Sequence, residues 1–335
     1  MGHMTLQNYS HPPRSTVYGP PSVVALAGGV GGAKLADGLA QILPPDKLTI
    51  IVNTGDDFEH LGLYICPDLD TVCYTLAGLA NPKTGWGRHD ETFHALENIQ
   101  VLGGPDWFHL GDRDLATHIE RTRRLRAGQS LSQITHDFCR AWGVGPTVLP
   151  MSDQPVRTIV DTVEYGELAF QEYFVHRQCR PKVKGFRFEG AESAQPAPGA
   201  VEAIQQADAV IICPSNPWVS IDPILALTPI PSPTERERGA EGGVRTVIAV
   251  SPIIGGKAVK GPAAKMCAEL GIQPSAFAVA EHYQNLLTDF ILDKMDAELA
   301  SQVEALGIRT LVTNTLMNSP AVRRRLAQDV LNLTR

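Results

Sequence analysis

The chain has 335 residues, 43% of them hydrophobic and 19% charged, with a formal net charge of −7. That is ample for a sizeable core in one large domain or two, and it lacks the basic stripe of a nucleic-acid binder. An anionic substrate would have to be met locally, by backbone N–H groups, a metal ion or a few cations.

Met1–Pro21 is polar and proline-rich. "MGHM" reads as a cloning remnant ahead of a second start methionine, and the stretch is expected to be a disordered tail. The chain proper opens on "SVVALA" (Ser22–Ala27), a short apolar run rich in β-branched residues that predicts a buried strand. "GGVGG" follows, then "AKLADGLAQIL" with apolar residues at helical spacing, then a second buried strand in "KLTIIVN" (Lys47–Asn53). Strand, loop, helix, strand is how a doubly wound parallel sheet begins. From about residue 70 to 145 the segments "TVCYTLAGLA", "ETFHALENIQVL", "GDRDLATHIERTRRLRAG" and "LSQITHDFCRAWG" read as a helical insertion.

Beyond it, "TVLPMS", "RTIVDTVEY" and "KVKGFRFEG" read as strands, and "ELAFQEYFVHRQ" fits a helix or an alternating strand. "DAVIICPSNP" and "VRTVIAVSPIIGGK" are buried strands that end in polar or glycine-rich loops. "TPIPSPTERERGAEGG" (Thr228–Gly243) is expected to be a flexible loop, followed by late strands in "LTDFILD" and "IRTLVTN" and a closing helix. No apolar run approaches the roughly 20 residues of a membrane helix. The six cysteines form no C-x-x-C pair and read as free thiols of a reducing cytosol, so a cytoplasmic protein is expected.

Glycines 28, 29, 31 and 32 let backbone approach a ligand, and Lys34 stands in the first turn of the helix that follows. The spacing is neither G-x-G-x-x-G nor a P-loop, so the loop is a tight turn or an anion site. "VNTGDDFEHLGLYICPDLDT" (Val52–Thr71) holds five acidic side chains and no lysine or arginine. Asp56 follows a strand end and Asp70 precedes a helix, so Asp70 is either a helix cap or, with Asp56, one of the hard oxygen donors of a Mg²⁺ site. Arg113 sits between Asp112 and Asp114, either paired with them or facing an anion. Ser215–Asn216 and Gly255–Gly256–Lys257 lie at two further strand ends and extend a nucleotide crevice. No histidine spacing suggests zinc.

In order, "GGVGGAKLADGL", "VNTGDDFEHLGLYICPDLDTVCYTLAGL", "GWGRHDET", "LGDRDLATHIERT", "LPMSDQPVRT", "PSNPWVSI", "VSPIIGGKAVKGPAAKM" and "VAEHYQ" resemble the 2-phospho-L-lactate transferases of deazaflavin coenzyme biosynthesis, over about Val23 to Met317. The resemblance implies a Rossmann-like α/β core with a helical insertion, one domain over residues 22–335, and a homodimer. It implies a Mg²⁺-dependent transfer from a guanosine diphosphate-linked donor to the ribityl hydroxyl of 7,8-didemethyl-8-hydroxy-5-deazariboflavin, with GMP released. The donor acid is left open among lactyl, enolpyruvyl and glyceryl forms. Carried onto this chain, the resemblance makes Asp56 and Asp70 the metal carboxylates and places Asp70 and Arg113 beside the deazaflavin. Asp70 is then the expected base. Gly28, Gly29, Gly31, Gly32, Lys34, Ser215, Asn216, Gly255 and Lys257 fall to the guanosine donor, and Asp57 and Asp68 are left structural. Two rivals remain in view: a sugar-nucleotide-binding regulator of the same fold, and an NAD-dependent oxidoreductase, which the glycine spacing disfavours.

Overall fold

The computed structural model of the chain describes residues 19–230 and 246–334. Most of the expected N-terminal tail, and the expected loop from residue 231 onward, lie outside them. Seven strands form one sheet: β1 (Val23–Ala27), β2 (Leu48–Val52), β3 (Thr147–Pro150), β4 (Ala209–Ile212), β5 (Thr246–Val250), β6 (Asp289–Asp293) and β7 (Arg309–Thr313). Their order is β7-β6-β5-β4-β1-β2-β3, and every neighbouring pair is parallel. This is the doubly wound Rossmann-like α/β architecture.

The apolar runs explain the placement. Alternate residues of each strand feed opposite faces of the sheet, because the side-chain period of a strand is two. Val24, Leu26, Val210, Ile212, Val247 and Ala249 pack into one core. Val23, Ala25, Ala27, Ile211, Ile248 and Val250 pack into another, on the other side. Both faces are covered, which is why these strands carry no polar alternation.

Helix α1 (Gly29–Ala40) follows β1. It packs against the closing helix Pro320–Asn332, and a β-carbon on Gly38 would stand 2.3 Å from the Arg323 carbonyl oxygen. Between β2 and β3 come an antiparallel hairpin (Phe58–His60 with Leu63–Ile65) and four helices: α2 (Pro67–Leu76), α3 (His94–Val101), α4 (Asp112–Arg126) and α5 (Leu131–Ala141). Pro67 opens α2 at a position where its missing N–H costs nothing. Ser130 and Gln133 form a capping box at the start of α5.

Between β3 and β4 lies a three-stranded antiparallel sheet, with Arg157–Thr162 between Gly166–Ala169 and Val183–Glu189. "ELAFQEYFVHRQ" turns out to be both of its readings in succession, the strand Gly166–Ala169 and then a wide helical turn, Glu172–His176. Among the described residues no helix is long and apolar enough to cross a membrane. The strand order reverses between β1 and β4, and ligands of doubly wound sheets bind at the carboxyl ends of such a pair.

Candidate active site

Three chain segments meet at that switch point. The Ser215 hydroxyl, just past β4, accepts the Gly28 N–H at 3.1 Å and donates to the Gly28 carbonyl at 2.8 Å. A β-carbon on Gly31 would lie 2.1 Å from the Pro214 carbonyl oxygen. One on Gly28 would lie 2.7 Å from an Asp68 carboxylate oxygen. Gly29 takes φ +57, in the left-handed region. These glycines therefore let the loops after β1 and β4 and the start of α2 press together. Asn216 serves the turn that follows, its side chain accepting the Trp218 N–H at 3.2 Å.

Asn53 directly follows β2, and its side-chain amide organises the acidic loop. It donates to Asp56 at 3.1 Å, to Asp68 at 2.9 Å and to the Val219 carbonyl at 3.3 Å. Its own carbonyl accepts the Gly55 N–H at 2.8 Å. Asp56 and Asp68 are both buried, and no ion pair among the described residues includes either. Burial pushes the Asp56 carboxyl well above its usual range, and the charge of Asp68 adds to it. Burial raises Asp68 to about 6, against the pull of the Asn53 amide and the Gly29 N–H. Asp57 is buried too, and neither of its oxygens receives a hydrogen bond of normal geometry. Burial carries it to about 7 in spite of the nearby Arg157 guanidinium.

Asp70 faces the other way. Two residues along a helix is a rotation of roughly 200°, so Asp68 and Asp70 point to opposite sides of α2. Arg121 of α4 grips both Asp70 oxygens, one of the two bonds at 3.0 Å. The same guanidinium donates to His118 Nδ1 at 3.2 Å, which leaves the ring proton on Nε2, 3.3 Å from Asp114. Tyr74 donates to Asp114 at 2.7 Å. Asp70, Asp114 and His118 come within 4.8 Å of one another as a metal set would. Both Asp70 oxygens are held by the buried Arg121, so this set is also an ion-pair network.

The hydrogen bonds thus join Asp56 to Asp68, and Asp70 to Arg121. Asp68 was left structural in the sequence reading, and Asn53 and Arg121 were not singled out. The readable signals were a polar side chain at a strand end and the helical angle between residues 68 and 70. Arg113 is exposed, and no contact among the described residues ties its guanidinium to the acidic loop. The caps around it are exchanged: Glu91 accepts the N–H groups of Arg113 and Asp114 at the start of α4, and Asp112 accepts those of His94 and Ala95 at the start of α3.

The cationic side of the crevice starts with Lys34. Burial lowers its pKa, and so do Arg323 and Lys260, its charged neighbours. Gly255 and Gly256, with φ +56 and +73, form the two-residue turn of a small hairpin whose strands are Ile253–Ile254 and Lys257–Ala258. The Gly255 N–H is bound by Asp296 at 3.0 Å, and Lys257 is exposed.

Residues 23–317 match the family model described as 2-phospho-L-lactate transferase CofD. The chain belongs to this transferase family. It is 46% identical to a phosphoenolpyruvate transferase of Streptomyces griseus, across 93% of this chain and 98% of that protein. It is 40% identical to a 2-phospho-L-lactate transferase of Methanosarcina acetivorans, again across 93% of this chain and 98% of the relative. A crystal structure of a UPF0052 family member from Bacillus halodurans superposes with a TM-score of 0.57 at 14% identity, covering 94% of this chain and 99% of that one, which speaks for the fold alone. The chain is thus a CofD-family transferase of a phospholactyl- or enolpyruvyl-type group.

Proposed function

We propose that this chain joins a three-carbon acid phosphate, carried on guanosine diphosphate, to the terminal ribityl hydroxyl of 7,8-didemethyl-8-hydroxy-5-deazariboflavin, releasing GMP. Enolpyruvate is the proposed acid, because the Streptomyces relative at 46% identity is named a phosphoenolpyruvate transferase and the archaeal one at 40% a 2-phospho-L-lactate transferase. The observation that carries the reading is the Asp56–Asp68 pair. Two buried carboxylates share one amide beside a glycine loop, and no ion pair among the described residues includes either.

Such a pair fits Mg²⁺, which takes one or two carboxylates and leaves its other positions to water and phosphate. Asp56 and Asp68 would hold the ion, with Asn53 fixing both. Bound there, it supplies the charge that phosphate oxygens need while a P–O bond breaks. The backbone N–H groups after β1 receive the donor phosphates at the start of α1. The ribityl oxygen then attacks the phosphorus bearing the acid group, the P–O bond to GMP breaks, and GMP leaves with the electron pair. The hydroxyl proton passes to Asp57, the neighbouring carboxylate of the same loop, whose two buried oxygens receive no hydrogen bond of normal geometry. Asp70, with both oxygens on Arg121, keeps α2 docked on α4.

Purified protein with Mg²⁺, the deazaflavin and each of the three donors would be assayed by mass spectrometry. The expected result is GMP together with the enolpyruvyl phosphodiester. Tight UDP-sugar binding without deazaflavin turnover would replace this reading by that of a nucleotide-sugar regulator.

A further inference from the structure

The segment Leu79–His89 has no part in the reading above, yet it is built as a stiff hairpin. The His89 N–H donates to the Leu79 carbonyl at 2.9 Å, the Asn81 N–H to Gly87 at 3.0 Å and the Gly85 N–H to Asn81 at 2.8 Å, with Ala80 and Arg88 bridged antiparallel between them. At its root the Arg88 guanidinium lies over the rings of Tyr74 and Trp142, 5.4 and 6.0 Å from their centroids.

The tip reaches across to the crevice. At Gly85, φ +77, a β-carbon would stand 2.6 Å from Val30 Cγ1, in the glycine loop, and 3.5 Å from Lys260 Nζ. Lys260, in the loop after β5, donates its ammonium to the Thr84 carbonyl. Three separate segments therefore converge over the start of α1.

The charges at this point are unbalanced. Lys34 feels the positive charges of Arg323 and, less strongly, of Lys260; Arg323 is paired with Asp37, whereas Lys34 and Lys260 appear in no ion pair among the described residues. Among the described residues, Thr84's neutral carbonyl is the one hydrogen-bond acceptor of Lys260. An ammonium carries three donors, so one bond to Thr84 leaves two for an incoming anion. Unpaired ammonium groups beside the start of α1 favour an incoming anion such as phosphate.

We propose that Lys260 binds the phosphates of the nucleotide donor and, through the Thr84 carbonyl, pins the 79–89 hairpin over them. The inference rests on the guanosine-diphosphate reading given above. Coupling of this kind is reciprocal: phosphate tightens the hairpin, and a docked hairpin tightens phosphate.

The test uses GDP as the probe, with calorimetric titration and amide hydrogen exchange of the 79–89 hairpin on the full chain. Trp86, half-exposed beside the tip, gives an independent fluorescence signal, with Trp86→Phe as its blank. Wild type should bind GDP and gain protection in the hairpin. Lys260→Ala, a surface change that leaves the core alone, should weaken GDP by at least about tenfold, the scale of a lost charged hydrogen bond, and abolish the added protection. Lys260→Arg should restore much of both. Gly85→Val, which drives the tip off Val30 with every charge intact, should also weaken GDP. GDP binding and hairpin protection unchanged in Lys260→Ala would overturn the proposal, and so would lost affinity with hairpin protection intact at saturating GDP. Absence of GDP binding by wild type would instead overturn the guanosine reading, and the role of Lys260 with it.

Discussion

Asp68 and Asp70 stand in the same turn of α2, both buried, and their surroundings are opposites. Asp70 has a guanidinium on both of its oxygens; Asp68 has only neutral donors, the shared Asn53 amide and the Gly29 N–H, and a second carboxylate as neighbour. Burial alone does not separate them. The presence or absence of a counter-charge does: a buried charge that comes with its partner holds structure, and one that lacks it is held ready for a cation or a proton.

The largest effect should fall on the paired side. Asp70→Ala strands Arg121 as a buried charge, and a loss of about 3–5 kcal/mol in urea unfolding is expected. Asp68→Asn on the same turn should cost no stability in metal-free protein, because it removes one of two repelling carboxylates. Equal losses in the two variants would erase the distinction between the faces.

Activity should divide the other way. Asp68→Asn and Asp56→Asn should each lower turnover about 10²–10³-fold, the scale of removing one electrostatic contact to a transition state. The double variant should be little worse than either single one, since residues that hold one group act as a unit. Fully additive losses would mean that the two carboxylates do not share a ligand. Asp70→Asn should lose activity only as far as it loses fold, which circular dichroism on the same samples would reveal.

Much of this was legible beforehand, and the reason is physical. "VVALA", "TIIV", "VII" and "VIAV" read as strands because a strand covered on both faces can be apolar throughout. The glycine loop and the acidic loop were legible because their residue types are costly anywhere else. The pairing within the acidic loop was harder, because it depends on where α2 begins. Once Pro67 is its first residue, a rotation of 100° per residue sends Asp68 toward the glycine loop and Asp70 toward α4. Arg121, which claims Asp70, is 51 positions away and leaves no local mark. Strand order was equally illegible, being set by contacts distant in sequence. Lys260 lay inside a noted segment, but its partner at Thr84 belongs to the helical insertion, 176 positions earlier.

The smallest effect is the most direct reading of the unpaired side. Asp56, Asp57 and Asp68 are all raised by burial, Asp68 to about 6 and Asp57 to about 7, whereas an unfolded aspartate titrates near ~3.9. Between those values the folded chain holds more protons than the unfolded one, so these three groups withdraw stability as pH climbs from about 4 through about 7. Metal-free protein should therefore melt lower at pH 8 than at pH 5.5 by more than the Asp68→Asn variant does. Saturating Mg²⁺ should recover the difference at pH 8 and do little at pH 5.5, where protons already occupy the site, because a ligand stabilises only the form that binds it. In a chain of this size each kcal/mol recovered raises Tm by roughly 2 °C, within reach of calorimetry at matched ionic strength. A Mg²⁺ shift of the same size at both pH values would show that the ion does not compete with protons on Asp56 and Asp68.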